Sequence, residues 1–430
     1  MNHNFVLFVF ILSYLLFAFF PSKRTIVAVI SSLILLIFYF YKFNKLLITA
    51  IDFNVINIFL GTMLVSNFIV ESGIAEYIAE KIIIKTKSVK WSFLTLCIIS
   101  GFLSIFLENV ATVIIVAPVA IQIAKKLNLN PTKVVFAVAL SSNLQGTATL
   151  IGDPPSILLA SATNMTFLDF FVYKSKLSIF FAVQLGAISS FFVLYYIFSK
   201  YKNCESQISN FSLTAKVSSW IPLYILISMV ILLVFTSILK VNKTNNYLFI
   251  AGLICLFFGF LSLIAKKIFL KTSFIYGLKH LDWETVVFLV GIFVLVKSIE
   301  MTGLLNKVAE KIVFIVKGNN FGIYTLLVFL SVVISGFVDN IPFFATMIPV
   351  AKIISLHKGI SLHLLLFGLL IGSTLGGNIT PIGASANITG WGMLKKEGYK
   401  STFLDFVKIG LPYTFAAVVP AYIFIWFVWR

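Results

Sequence analysis

The chain has 430 residues, 60% hydrophobic and 11% charged, with a mean hydropathy of +1.05. That leaves too little polar surface to coat a soluble globule of this size. Its net charge of +18 comes from 33 Lys and Arg scattered between apolar runs, so they read as loop anchors and argue against a nucleic-acid partner. Cys97, Cys204 and Cys255 stand far apart and fit neither metal nor disulfide spacing.

In chain order, apolar runs long enough to cross a hydrocarbon core of about 30 Å fall at 5–20, 25–42 and 54–70. The first lacks a basic leader and a small-residue cleavage site, which predicts a retained helix. A Lys-rich amphipathic stretch, 72–90, follows, then two apolar arms, 92–107 and 110–125, joined at Glu108-Asn109. The arms are short for full crossings and predict a re-entrant hairpin with a buried polar tip. The segment 132–165 starts as a helix but meets a cluster of Gly, Ser, Thr and Asn halfway, where helix propensity collapses. A span at 177–199 closes the series. The order then repeats: spans 218–237, 245–268 and 284–300, amphipathic 304–318, arms 322–337 and 341–355 joined at Asp339-Asn340, a broken segment 361–395, and a last span 409–429.

The likeness extends to residues. Laid without a gap, Asp52 to Ile83 falls on Asp282 to Val313, matching Gly61 with Gly291, Gly73 with Gly303, and 79–82 with 309–312. Glu108-Asn109 falls on Asp339-Asn340, Pro118 on Pro349, 142–152 on 373–383, and 167–170 on 403–406. Four blocks in one order indicate duplication, with halves 1–205 and 206–430. Each half makes five crossings, so the second enters the membrane upside down. The predicted fold is an all-α polytopic membrane protein: about ten transmembrane helices plus two re-entrant hairpins, in two inverted-topology repeats with broken helices. An external N-terminus puts 20 of the 33 Lys and Arg on the cytoplasmic side of an inner membrane.

Most acidic residues sit at span ends, but Glu108, Asp153 and Asp339 lie inside apolar stretches. A carboxylate there costs several kcal/mol unless it is paired, hydrated or cation-bound. These three are the candidate proton- or cation-coupling groups. In the first break, 141–155, glycines unwind backbone and Pro154-Pro155 withhold hydrogen-bond donors, leaving free carbonyls. Ser142, Asn143, Thr147, Thr149 and Asp153 add the side-chain oxygens a hard cation accepts. The second, 372–387, offers Ser373, Asn378, Thr380, Ser385 and Asn387 with Gly377, but Ala384 stands where the first has Asp153. Packing by small residues is the plainer reading of such clusters, yet it does not call for paired Asn, Thr and Pro. The half-helix after each break turns its positive end toward the same centre. The tips Asn109 and Asn340 are expected to meet the breaks there, with Thr112 one turn further in, and Gly146 is counted with the binding residues of the first break. His280, His357 and His363 fall at span ends, as interfacial residues do, although His363 is also placed to relay protons.

Asn109-Val-Ala-Thr112, Gly146-Thr-Ala-Thr-Leu-Ile-Gly-Asp-Pro-Pro155, Asp339-Asn-Ile-Pro342 with Ala345-Thr-Met-Ile-Pro349, and Gly376-Gly-Asn378 with Ile382-Gly-Ala-Ser-Ala-Asn387 resemble the ion transporter superfamily. Within it they resemble the group of arsenical-pump membrane proteins, NhaD sodium/proton antiporters and P proteins, which share a citrate-transporter-like domain, and most of all the P-protein branch. The resemblance covers nearly the whole chain. It implies inverted repeats with two hairpins and two unwound helices, elevator-type movement of a transport domain against a scaffold made of the first three spans of each half, and a homodimer.

The leading expectation is ion-coupled secondary transport, by symport or antiport, of a small inorganic solute or anion, with arsenite or antimonite efflux as the inherited label. The alternatives are Na⁺/H⁺ antiport and Na⁺-coupled uptake of a di- or tricarboxylate; the latter lacks an Arg or Lys within either break. A channel would need no ion coupling. Catalysis is not expected: no nucleophile, base and orienter lie together. No cofactor beyond Na⁺ or H⁺ is expected, and with no phosphate-binding loop an ATP-driven mode would need a partner ATPase.

Overall fold

A computed structural model of the chain describes residues 3–38, 50–86, 88–201, 215–239, 247–279 and 281–430. His280, Cys204, the expected boundary at 205/206 and the end of the 25–42 span lie outside the described residues.

Helices α1 (His3–Phe19) and α2 (Arg24–Phe38) are followed by α3 (Phe53–Ser72). The Asp52 carboxylate starts α3 by accepting from the N–H groups of Asn54 and Val55, satisfying two of the donors a helix start leaves open. Gly73 ends it at φ +73°, and α4 (Ile74–Ile83) leaves at a new angle. The second copy repeats the device. After α10 (Ile221–Ile238), α11 (Tyr247–Phe269) and the short α12 (Phe274–Lys279), Asp282 caps α13 (Trp283–Glu300), and Gly303, also at φ +73°, turns the chain by 76° into α14 (Leu304–Ile315). Both turns need the left-handed region that glycine enters without penalty.

The two hairpins are α5 (Val89–Ser104) with α6 (Asn109–Lys126), and α15 (Asn320–Ser335) with α16 (Asn340–Lys358). The segments expected to break do so: α7 (Thr132–Gly146) gives way to α8 (Pro154–Thr163), and α17 (Leu362–Gly376) to α18 (Ser385–Lys396). The closing spans are α9 (Ile179–Phe198) and α19 (Phe403–Trp429). Between α8 and α9 a two-stranded ribbon pairs Val172 with Leu177 and Tyr173 with Lys176.

Length and composition alone would misassign the spans. Eight described helices are long and apolar enough to cross a membrane, among them the hairpin arms α6 and α16, whereas the pieces of the broken helices are too short. Helices of this length and hydropathy make the chain an integral multi-pass membrane protein.

The copies interlock reciprocally. Helix α3 packs on α11 while α13 packs on α2. Gly61 lies so close to the Cys255 backbone that a Cβ would come within 2.1 Å of its carbonyl carbon, and a Cβ on its repeat-mate Gly291 would lie 2.9 Å from that of Ala28. Likewise α8 packs on α16 and α17, while α18 packs on α6 and α7. When element i of one copy meets j of the other, and j of the first meets i of the second, the relation is two-fold. Each copy thereby completes the core of the other, and the second half of each broken helix is delivered to its partner copy's hairpin.

Candidate transport site

Both breaks are built alike. After Gly146 the chain makes two turns, Ala148 N–H to the Gln145 carbonyl (3.0 Å) and Gly152 N–H to Thr149 (3.4 Å); after Gly376, Asn378 bonds Leu375 (3.0 Å) and Gly383 bonds Thr380 (3.4 Å). Each loop folds back until a Cβ on Gly152 would lie 2.2 Å from the Gly146 oxygen, and one on Gly383 2.5 Å from the Gly377 oxygen. No other residue type fits there, which explains the paired glycines.

Repeat-matched hydroxyls stitch each loop to its hairpin. Thr149 Oγ1 donates to the Ile105 carbonyl (2.5 Å), and Thr380 Oγ1 to that of Gly336. Ser142 donates to Ser104 and to the Asn109 carbonyl, both at 3.1 Å, while Ser335 donates to the Ser373 carbonyl (2.5 Å). In the first copy Asn109 accepts from Ser104 (2.6 Å) and rests against Gly146, where a Cβ would fall 2.1 Å from Asn109 Oδ1. The second copy differs: its contact runs through Ser335 and Gly336, and Asn340 stays buried at the start of α16. Thr112 is fully buried and its hydroxyl has no hydrogen-bond partner among the described residues, and Ser385 opens α18.

Three asparagines join the breaks. Asn143 Nδ2 donates to Asn378 Oδ1 and Asn387 Oδ1, each at 2.8 Å; Asn378 donates to the Leu140 carbonyl (3.2 Å), and Asn387 to those of Gly377 and Thr380 (both 3.0 Å). The end of α7 in the first copy therefore meets the unwound loop and the start of α18 of the second in one buried polar centre. Asn143 falls on Thr374, Asn378 on Thr147 and Asn387 on Ser156, so this bridge has no symmetric twin.

The acids differ sharply in company. Asp153, 2% exposed, caps α8 by accepting from Ser156 N–H (2.9 Å) and, more loosely, from Thr147 Oγ1 (3.4 Å); no ion pair reaches it among the described residues. Its counterpart Ala384 adopts the same extended backbone but leaves α18 without a side-chain cap. Glu108 and Asp339 each cap the second arm of their hairpin, accepting from Ala111 N–H (3.2 Å) and Ile341 N–H (3.1 Å). Asp339 also forms a buried ion pair with Arg24, whose guanidinium lies 5.0 Å from the Phe288 ring centre, and Tyr14 donates to the Pro342 carbonyl (2.7 Å). The second tip is thus tied to α1, α2 and α13. Sequence reasoning treated Arg24 as a loop anchor and passed over Tyr14; a cation at the first position of an apolar helix was the available signal. His357 lies in the last turn of α16, and His363, at the start of α17, sits in an aromatic cluster with Tyr173 (4.7 Å) and Trp429 (5.7 Å), its Nε2 without a hydrogen-bond partner among the described residues.

Paired hairpins and paired broken helices meeting at a polar centre define a membrane transporter of the ion transporter superfamily. The chain belongs to the citrate transporter (CitMHS) family, whose profile matches residues 14–268 and 247–430. It is 29% identical over 88% of its length to an uncharacterised transporter of Mycobacterium tuberculosis, covering 86% of that protein, and 27% identical over 97% of both chains to a 46 kDa membrane protein of Mycobacterium leprae. It is also 27% identical to the human P protein over 84% of this chain and 52% of that one. In fold it resembles the Alcanivorax borkumensis YdaH transporter (TM-score 0.61, 13% identity, 90% of this chain and 87% of that one) and Neisseria gonorrhoeae MtrF, an antimetabolite efflux pump (TM-score 0.58, 14% identity, 91% and 83%).

Proposed function

We propose that the chain is a secondary active transporter in which the first break carries the coupling ion and the second receives a small inorganic oxyanion or oxyacid, of the arsenite or antimonite type. The reading rests above all on Asp153: a buried carboxylate with no cationic partner among the described residues needs a proton or a bound cation to stay at that depth. The Thr147 hydroxyl and the loop carbonyls are the oxygen donors Na⁺ takes. Opposite, α18 begins without a side-chain cap, so its open N–H groups suit the oxygens of a solute carrying little charge. No Lys or Arg lies in either break, which weighs against a multiply charged carboxylate despite the family's description. Na⁺/H⁺ antiport is the second reading, supported by Glu108 as a half-buried acid without an ion pair among the described residues.

On this reading the chain performs transport without a chemical step or a cofactor. It sits in the inner membrane with its N-terminus outside, and α1–α3 with α10–α13 form a homodimeric scaffold past which the hairpins and broken helices move as an elevator. The test is solute flux in proteoliposomes under separate Na⁺ and proton gradients, with arsenite, antimonite, phosphate and citrate supplied in turn. One gradient is expected to drive arsenite or antimonite, and Asp153→Asn to abolish accumulation while inserting normally; unchanged coupled flux in the variant removes Asp153 from the mechanism. Citrate accumulation, or ion exchange with no solute, would support the corresponding alternative.

A further inference from the structure

The two copies differ at one lateral seam. In the second, Gly368, Gly372 and Gly376 form a stripe that seats α17 directly on α15: a methyl at Gly372 would lie 2.6 Å from the Val328 carbonyl oxygen, and one at Gly376 2.7 Å from the Val332 Cα. The matched positions in the first copy are Ala137, Ser141 and Gln145. There a cavity of about 230 Å³ opens between α5, α7, α9 and α19, lined on its inner wall by Cys97, Ser141, Gln145, Gln184 and Tyr413. Ile98 and Phe102, which also line it, are 53% and 62% exposed, so its mouth faces hydrocarbon.

The lining is mostly apolar, and its polar members carry no charge. Gln145 and Gln184 bond each other reciprocally, at 3.0 and 2.8 Å. Each primary amide has two N–H donors and a carbonyl with two lone pairs, so one donor and one lone pair remain on each. Such groups facing lipid gain from a hydrogen-bonding guest that the bilayer itself does not supply at this depth. A charged guest would be unmatched. A cavity of about 150 Å³ is already enough to hold benzene, so this one accommodates a ring or a short alkyl chain.

We infer that this cavity is a second binding site, entered sideways from the bilayer, for a small neutral lipophilic molecule bearing one hydroxyl or carbonyl oxygen directed at the Gln145–Gln184 pair. Its floor is the last helical turn before the first break, apart from the polar centre proposed for the transported solute.

The test uses the full chain in proteoliposomes and an octanol carrying a diazirine, with crosslinked peptides mapped by mass spectrometry; no transported solute is needed, so the outcome is independent of the transport reading. Labelling is expected to saturate around Cys97, Gln145 and Gln184, and to fall at least fivefold with excess unlabelled octanol or with Ala187→Phe, which fills the cavity. In Gln184→Leu, which keeps the cavity but removes a hydrogen-bonding group, the probe concentration for half-saturation is expected to rise at least threefold. Labelling of the wild-type chain that grows linearly with probe and spreads equally over lipid-facing Ile188, Phe192 and Phe427 would overturn the proposal. Unaltered affinity in Gln184→Leu would overturn the hydrogen-bonding part.

Discussion

Asn143 reaches across from one copy to two acceptors on the other, so a leucine there leaves the buried Asn378 and Asn387 carbonyls without a donor. Each buried orphan costs about 1–3 kcal/mol. Asn143→Leu is therefore expected to lower thermal stability in detergent and to reduce transport at least tenfold, whereas Asn143→Gln, with the same donor on a longer arm, is expected to restore part of both. The acids were legible in the sequence as charges too deep to be idle, but their roles as helix caps were not, since capping depends on where the second arm restarts. Arg24 was legible only as a positive residue between two spans. Its partner stands more than three hundred residues away, and nothing local to either residue announces the pair. Arg24→Gln is expected to destabilise the protein by about 3–5 kcal/mol, the cost of a buried charge left alone, and Arg24→Gln with Asp339→Asn to recover most of it. A chemical-denaturation series on the single and double variants decides between this ion-pair role and a free coupling role for Asp339, for which the double variant would be no more stable than the single.

Among the elements, the hairpins, amphipathic stretches and breaks could be read because each is a departure from helix chemistry: glycines where a helix would prefer alanine, prolines in pairs, acids in apolar arms. The bend between spans and amphipathic helices could not be read as an angle, although Gly73 and Gly303 were already paired by the repeat. Those two glycines separate two costs. Alanine at Gly303 meets only the Asn306 side chain, at 4.0 Å, and is expected to cost the backbone strain alone, about 1–2 kcal/mol. Alanine at Gly73 must also displace the Lys216 carbonyl, 2.7 Å from its Cβ, and is expected to be clearly worse. Equal melting temperatures for the two variants would contradict the close approach at Gly73.

For the molecule as a whole, duplication was visible in residue matches, and an odd number of crossings made inversion follow by counting. The interlock was not visible: self-similarity says that two units exist, not that α3 seeks α11 while α2 seeks α13. The asymmetric asparagine bridge was equally hidden, because its members occupy positions that do not match across the repeat. With each copy completing the other's core, chains 1–205 and 206–430 expressed as separate polypeptides are expected to co-purify as one complex, and neither to insert stably alone. The claim on which the transport account depends is that the end of α7 touches the second break and the start of α18, and that they must part or shift for solute to cross. Mercuric crosslinking of Ala139→Cys with Gly390→Cys, a pair on α7 and α18 whose Cβ atoms would lie 3.7 Å apart and which leaves the asparagine bridge intact, tests it in the membrane, with the three native cysteines replaced by serine and each single-cysteine chain as control. Rapid crosslinking that arrests transport and is reversed by a thiol is the expected result; a pair that does not crosslink, or crosslinks while flux continues undiminished, contradicts it.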